Sequence, residues 1–143
     1  MKRNGFTLIE LILVVSLMML LGTLTTTFAA RFFTQNGVSN TTDELIGDIR
    51  QAQMNAMMGK QNSNWGIDYA SNTITLYKGT SFAARSTALD TKFSVNSSVS
   101  ITGFSDLNFF RMTGTSSATP TISVSGSGET KTITVNSQGV ATR

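Results

Sequence analysis

The sequence predicts an α+β protein in which one long N-terminal helix packs its distal half on a mainly antiparallel β-sheet. Three observations predict it. Residues 11–30 form an uncharged, largely apolar run. Residues 31–58 keep a helical period but turn amphipathic. Beyond Gly59 the apolar period shortens to two. A chain of 143 residues supports one modest globular domain after such an N-terminal segment.

Leu, Ile, Val and Met dominate the first half of the apolar run, which then dilutes into Gly22, Thr23 and the three threonines from Thr25 to Thr27. At about 1.5 Å per residue the run covers roughly 30 Å, the hydrocarbon thickness of a bilayer. Lys2 and Arg3 lie just before it, so the positive-inside bias keeps the N-terminus cytoplasmic and sends the rest outward. A cleaved secretory signal ending at Ala29, with Thr27 in the −3 position, is one alternative. A plain single-pass anchor is another. Neither calls for Glu10, a carboxylate set at the start of the span, where ionisable residues are costly and rare outside functional sites.

In the amphipathic half, Leu45, Ile49, Ala52 and Ala56 follow one another at steps of four, three and four, which places them on one face. Ile46 and Met57 widen that stripe, whereas Asp48, Arg50 and Gln51 fall largely off it. Gly59 suits a C-terminal cap. The run Gln35-Asn36-Gly37-Val38-Ser39-Asn40 is a poor helix former, and Thr41-Thr42-Asp43-Glu44 fits a capping box that would open a new helix at Thr42. The helix is therefore either continuous over 7–58 or interrupted near Gly37, with a bend or frayed turn expected there.

Residues 65–69 and 73–77 alternate around Ala70-Ser71-Asn72 and predict a hairpin. Shorter candidates lie at 92–95 and 99–102. Residues 107–111 are apolar and aromatic. Residues 121–125 and 131–136 alternate β-branched with polar residues across a Gly/Ser turn, and 139–142 suit an edge strand. The expected organisation is 1–5 as a leader, 6–30 as the spanning half of the helix, 31–59 as its amphipathic half and 60–143 as a β-rich head.

The chain has no histidine and no cysteine. That removes the commonest general base, the best thiol nucleophile and the usual transition-metal ligands. The carboxylates after Glu10 are scattered, without the alternating spacing of a calcium loop. The serines sit in turn-like Gly/Thr/Asn runs. No catalytic residue, metal site or cofactor is expected. Formal charge is +3, but losing Lys2 and Arg3 from the eleven Lys+Arg leaves nine against eight Asp+Glu. The basic balance therefore gives little support to nucleic-acid binding.

Gly5-Phe6-Thr7-Leu8-Ile9-Glu10-Leu11, seven contiguous residues ahead of an apolar segment, resembles the leader-cleavage and methylation motif of type IV pilins and type II secretion pseudopilins. The resemblance implies that a prepilin peptidase, a membrane aspartic protease, cuts between Gly5 and Phe6 and methylates the new N-terminus at Phe6. Gly5 suits the role because a residue without a side chain lets backbone approach a catalytic site closely. The resemblance also implies that Glu10 neutralises the Phe6 amine of a neighbouring subunit during filament assembly. A Glu10 that merely snorkels to water is the alternative. Expected partners are the peptidase, other pilin subunits, an inner-membrane platform protein and membrane lipid before assembly. The expected location is the bacterial inner membrane, single-pass, and then a periplasmic or extracellular filament. The motif implies a pilin-like version of the α+β fold.

The head resembles the H-type minor pseudopilins and FimT-like minor pilins. The likeness rests on 45–52 with Ala56, on Leu107-Asn108-Phe109 with Gly114, and on 132–136 with Gly139. Many major pilins of the family close a C-terminal loop with a disulfide; its absence from this cysteine-free chain points to pseudopilins, minor pilins or lineages that do without one, and a minor, tip-proximal or initiating subunit is expected over the bulk subunit. Some FimT-like pilins bind DNA through a tail in which glycine-arginine is followed by a second arginine. Here Arg143 matches the second arginine, but Val140 replaces the first. An anchored adhesin using Trp65, Tyr69 and Phe82 is a third reading, against which buried sheet packing of the first two is the simpler account.

Overall fold

The computed structural model describes residues 6–126 and 128–143, with side chains described outside 24–34. Gly5, Lys2 and Arg3 lie outside the described residues. The chain divides into two compact units, Met1–Phe33 and Thr34–Arg143. Helix α1, Leu8–Met57, contributes to both.

In the second unit α1 presents the expected stripe. Leu45, Ile49, Ala52 and Ala56 are all fully buried and share one core with Ile67, Leu76, Leu107, Phe109, Ile122 and Ile133 of the strands. Ala52 and Ala56 let backbone come close. At the helix end the N–H of Met112 donates to the carbonyl of Ala56 at 2.9 Å. Gly59 follows in the left-handed conformation (φ 60°), as a C-terminal glycine should.

Two expectations about this face are corrected. Met57 is exposed and does not widen the stripe. Asp48, expected off the stripe, is buried. Burial, with the Glu44 carboxylate one turn away, pushes its pKa up from 3.8 to about 6.

The helix is not interrupted. It runs unbroken through Gly37, and the Thr42 hydroxyl donates back to the Val38 carbonyl at 2.6 Å rather than capping a new start. Residues upstream of Thr42 are already helical, so the expected capping box there has no orphan N–H groups to satisfy. Gly37 leaves room for the side chain of Val99, whose Cγ2 would lie 3.4 Å from an added Cβ.

The strands form two four-stranded sheets rather than the single sheet expected. The first is built of β1 (Trp65–Ala70), β2 (Thr73–Lys78), β3 (Thr91–Ser94) and β5 (Asp106–Phe109), in the order β3-β2-β1-β5. The second is built of β4 (Ser100–Thr102), β6 (Thr121–Gly126), β7 (Glu129–Val135) and β8 (Ala141–Thr142), in the order β4-β6-β7-β8. Every pairing is antiparallel. The hairpin turn falls at Ser71 and Asn72, both left-handed (φ 50° and 56°), as a two-residue turn between twisted strands requires. β5 ends at Phe109 instead of reaching Arg111. There the chain turns, with Phe110 N–H donating to the Thr115 carbonyl at 3.0 Å.

The face of the first sheet that looks away from the core is covered by the segment 79–90. Gly66 lies opposite Tyr77, and its lack of a side chain seats the phenol. The Tyr77 hydroxyl donates to Asp106 Oδ1, and Asn108 Nδ2 donates to the Gly79 carbonyl at 2.8 Å. Phe82 N–H donates to Asp106 Oδ2 at 3.0 Å, and its ring meets Tyr77 edge-on.

Two stability predictions follow from this packing. A Cβ at Gly66 would stand 2.5 Å from Tyr77 Oη and 2.8 Å from the Leu107 carbonyl. Gly66→Ala should therefore destabilise the head by roughly 1–3 kcal/mol, read as a lower Tm. Asp48 binds its proton more tightly folded than unfolded, so stability should fall as pH rises from about 4 to about 6. Asp48→Asn should flatten that fall when Tm is compared at pH 4 and pH 7.

Candidate functional site

The N-terminal unit opens with two non-helical residues, Phe6 and Thr7, and becomes helical at Leu8. Thr7 is the cap. Its Oγ1 accepts from the Glu10 N–H at 3.4 Å, and its carbonyl accepts from the Leu11 N–H at 3.2 Å. Thr7-Leu8-Ile9-Glu10 thus has the spacing of a capping box, with Glu10 as the third helical residue. A carboxylate there sits at the positive end of the helix dipole, which favours its charge.

Phe6, just before the cap, shares an apolar groove of about 240 Å³ with Leu11, Val14 and Val15. The pairing of Phe6 with Leu11 has the spacing of a hydrophobic staple, which fixes the angle at which chain enters helix. The sequence reading assigned a capping box to 41–44 and missed this one. The signal was present in the same four-residue form.

After Glu10 the helix is apolar and open on every side. Phe6 is 80% exposed, and Leu8 to Leu21 leave every large apolar side chain exposed. A helix that is hydrophobic all round needs an apolar environment to cover it. Its hydroxyls are spent internally: Ser16 donates to the Leu13 carbonyl at 2.8 Å and Thr23 to the Leu20 carbonyl at 2.9 Å. Among the described residues Glu10 makes no ion pair. Also among them, no helix is long and apolar enough to cross a membrane. The expected span, 11–30, runs into residues 24–30, whose side chains are outside those described.

The other sequence candidates are placed elsewhere. Arg143 is turned onto α1 and pairs with Asp43 at 3.3 Å, so a phosphate would have to compete with that carboxylate. Trp65 is buried, its Nε1 donating to the Lys60 carbonyl at 3.0 Å. Tyr69 is half-buried against Phe104. Phe82 is half-buried under the Arg85 guanidinium, whose carbon lies 3.7 Å from the ring centre. None of the three is a free outward aromatic. Asp68, buried beside Asp106 on the covered sheet face, has its pKa raised, chiefly by loss of water and then by the Asp106 charge. Among the described residues no group of three or more metal-type ligands comes together.

A long helix with an exposed apolar beginning, continuing into an antiparallel β-rich head, is a pilin-like α+β architecture. Residues 1–26 match the family described as the prokaryotic N-terminal methylation motif. That match supports a type IV pilin-like or pseudopilin subunit, which is a structural subunit rather than an enzyme, and implies processing by a prepilin peptidase and assembly with other pilins. No curated protein and no solved structure matches the chain.

The capping geometry has its own test. Thr7→Val keeps the side-chain shape but loses the oxygen, and should weaken the helix start by about 1 kcal/mol. Amide exchange of full-length protein in detergent should show lower protection at Glu10 and Leu11 in that variant, and wild-type protection in Thr7→Ser.

Proposed function

We propose that the chain is a minor, tip-proximal filament subunit of a type II secretion pseudopilus or a type IV pilus. The observation that carries this reading is the placement of Glu10. Over residues 8–23, the apolar and exposed beginning of α1, it is the one carboxylate; it lies in the first turn, and it is the fifth residue after the Gly5–Phe6 bond. Before assembly the helix sits in the inner membrane, with the N-terminus cytoplasmic and the head on the far side.

Hydrolysis of the Gly5–Phe6 amide leaves a carboxylate on Gly5 and an amine on Phe6; the amine then takes a methyl group from a sulfonium donor bound by the peptidase, releasing a thioether and a proton, and the resulting secondary amine is protonated and cationic. A bare ammonium at a helix N-terminus faces the positive end of the dipole, and a bare carboxylate in lipid is strongly disfavoured. Bringing Phe6 of one subunit to Glu10 of the next removes both penalties at once. The apolar helices form the filament core and the heads form its outer layer. The driving force comes from a cytoplasmic ATPase and a membrane platform protein, and the chain itself does no chemistry.

Mass spectrometry of the mature protein should find N-methyl-Phe6 at its start, whereas a start at Ala30 would mark a secreted domain. Glu10→Leu should leave processing largely intact and reduce filament incorporation at least tenfold, read by shearing and sedimentation. Incorporation of that variant at wild-type levels would overturn the pairing.

A further inference from the structure

Two loops meet at the C-terminal end of α1. The chain leaves the helix through Gly59 into residues 60–64, and comes back to it after β5 through residues 110–114. Backbone bonds tie the two together: the N–H of Arg111 donates to Asn64 Oδ1 at 3.0 Å, and that of Met112 to the Ala56 carbonyl at 2.9 Å. Gln61, Asn62 and Met112 turn in left-handed backbone (φ 55°, 57° and 70°). Such conformations cost energy in residues other than glycine and cluster where a surface is used.

The charge carried here has one sign. Residues 49–67 and 107–119 contain Arg50, Lys60 and Arg111 but no Asp or Glu. Lys78 joins them, its Nζ donating to Gln61 Oε1 at 3.2 Å. Among the described residues none of these four cations takes part in an ion pair. Lys60 Nζ stands over the Trp65 ring, 5.2 Å from its centre. The next acid after β5 begins, Asp106, is bonded to Tyr77 and to the Phe82 N–H on the sheet face under 79–90.

Apolar side chains stand among the cations. Met54, Met57, Met58 and Met112 are 54, 52, 64 and 69% exposed, and Phe110 is exposed beside them. The first three fall within an arc of about 100°, opposite the buried Ala52 and Ala56. The Met112 sulfur lies beside Gly59, and Met57 lies against Gly114, so helix and loop present their methionines together.

We infer that this end of the head docks on the surface of an acidic phospholipid bilayer. The surface goes beyond the filament reading and does not depend on it. Lys60, Lys78 and Arg111 select an anionic occupant, because no carboxylate of these segments neutralises them. The exposed thioethers and Phe110 gain nothing from a phosphate backbone alone, but they do gain from the boundary between headgroups and acyl chains. Unbranched thioether side chains adapt to such a disordered phase without demanding one shape. Near an acidic leaflet each Lys or Arg is worth about a fivefold change in affinity, so three are worth roughly a hundredfold.

The test uses full-length protein in nanodiscs of phosphatidylcholine, which cover the apolar start of α1 without offering net charge. Chain that stays outside the discs is used directly. Free vesicles are then offered and capture is read by flotation. Vesicles with one-third phosphatidylglycerol should be captured at least tenfold better than pure phosphatidylcholine vesicles. Lys60→Gln with Lys78→Gln and Arg111→Gln should lower that capture roughly a hundredfold. Met58→Gln with Met112→Gln should lower it severalfold at unchanged charge. Should the triple variant melt earlier than wild type, the exposed Arg111→Gln alone carries the test, with about a fivefold loss.

Equal capture of neutral and acidic vesicles, capture of neither, or full capture by the charge variants would overturn the bilayer assignment. So would duplex DNA held as tightly at equal phosphate concentration with no effect of the methionine variant, which would mark a nucleic-acid surface instead. None of these outcomes bears on the filament reading, which stands or falls with N-methyl-Phe6 and Glu10→Leu.

Discussion

One carboxylate in the first turn of an apolar helix is the constraint to which the N-terminal unit answers. A charge in such a segment is tolerable only where something offsets it. Part of the offset is built in: Thr7 fixes where the helix starts, and so fixes Glu10 at its third residue, where the helix dipole favours an anion. Among the described residues Glu10 makes no ion pair, so none of these supplies the rest. Thr7 also holds Phe6 out of the helix, and a protease needs extended rather than helical backbone. One hydroxyl thus positions the acid and marks Phe6 as the residue left ahead of the helix.

The head answers to a different constraint, the need to bury enough apolar area for a small domain to be stable. Its helix stripe was legible in the sequence because Leu45, Ile49, Ala52 and Ala56 repeat at the helical period. The β1–β2 hairpin was legible because its alternation breaks at Ser71-Asn72, residues that accept left-handed backbone. The division into two sheets was not legible. Alternation says which side chains share a face, but Thr/Ser/Val-rich strands do not say which edges pair. β5 joins β1, and β4 joins β6, by contacts distant in sequence.

The errors were of one physical kind. Thr41-Thr42-Asp43-Glu44 and Thr7-Leu8-Ile9-Glu10 carry the same capping pattern, yet only the second caps. A cap needs unsatisfied N–H groups, and whether they exist depends on what precedes the threonine, a property of the whole helix. Asp48 was misplaced for a related reason. Its angle on the helical wheel lies beside the stripe, and how far the β-layers extend around the helix decides whether that flank is covered. Burial of an acid is not encoded locally.

Two faces of the head meet opposite fates. The outer face of the first sheet is closed by the chain itself, with 79–90 lying across Tyr77 and anchored on Asp106. At the end of α1, among the described residues, Met54, Met57, Met58 and Met112 each stay more than half exposed. Apolar side chains this exposed, like those at the start of α1, cost free energy in water that a covering surface would recover.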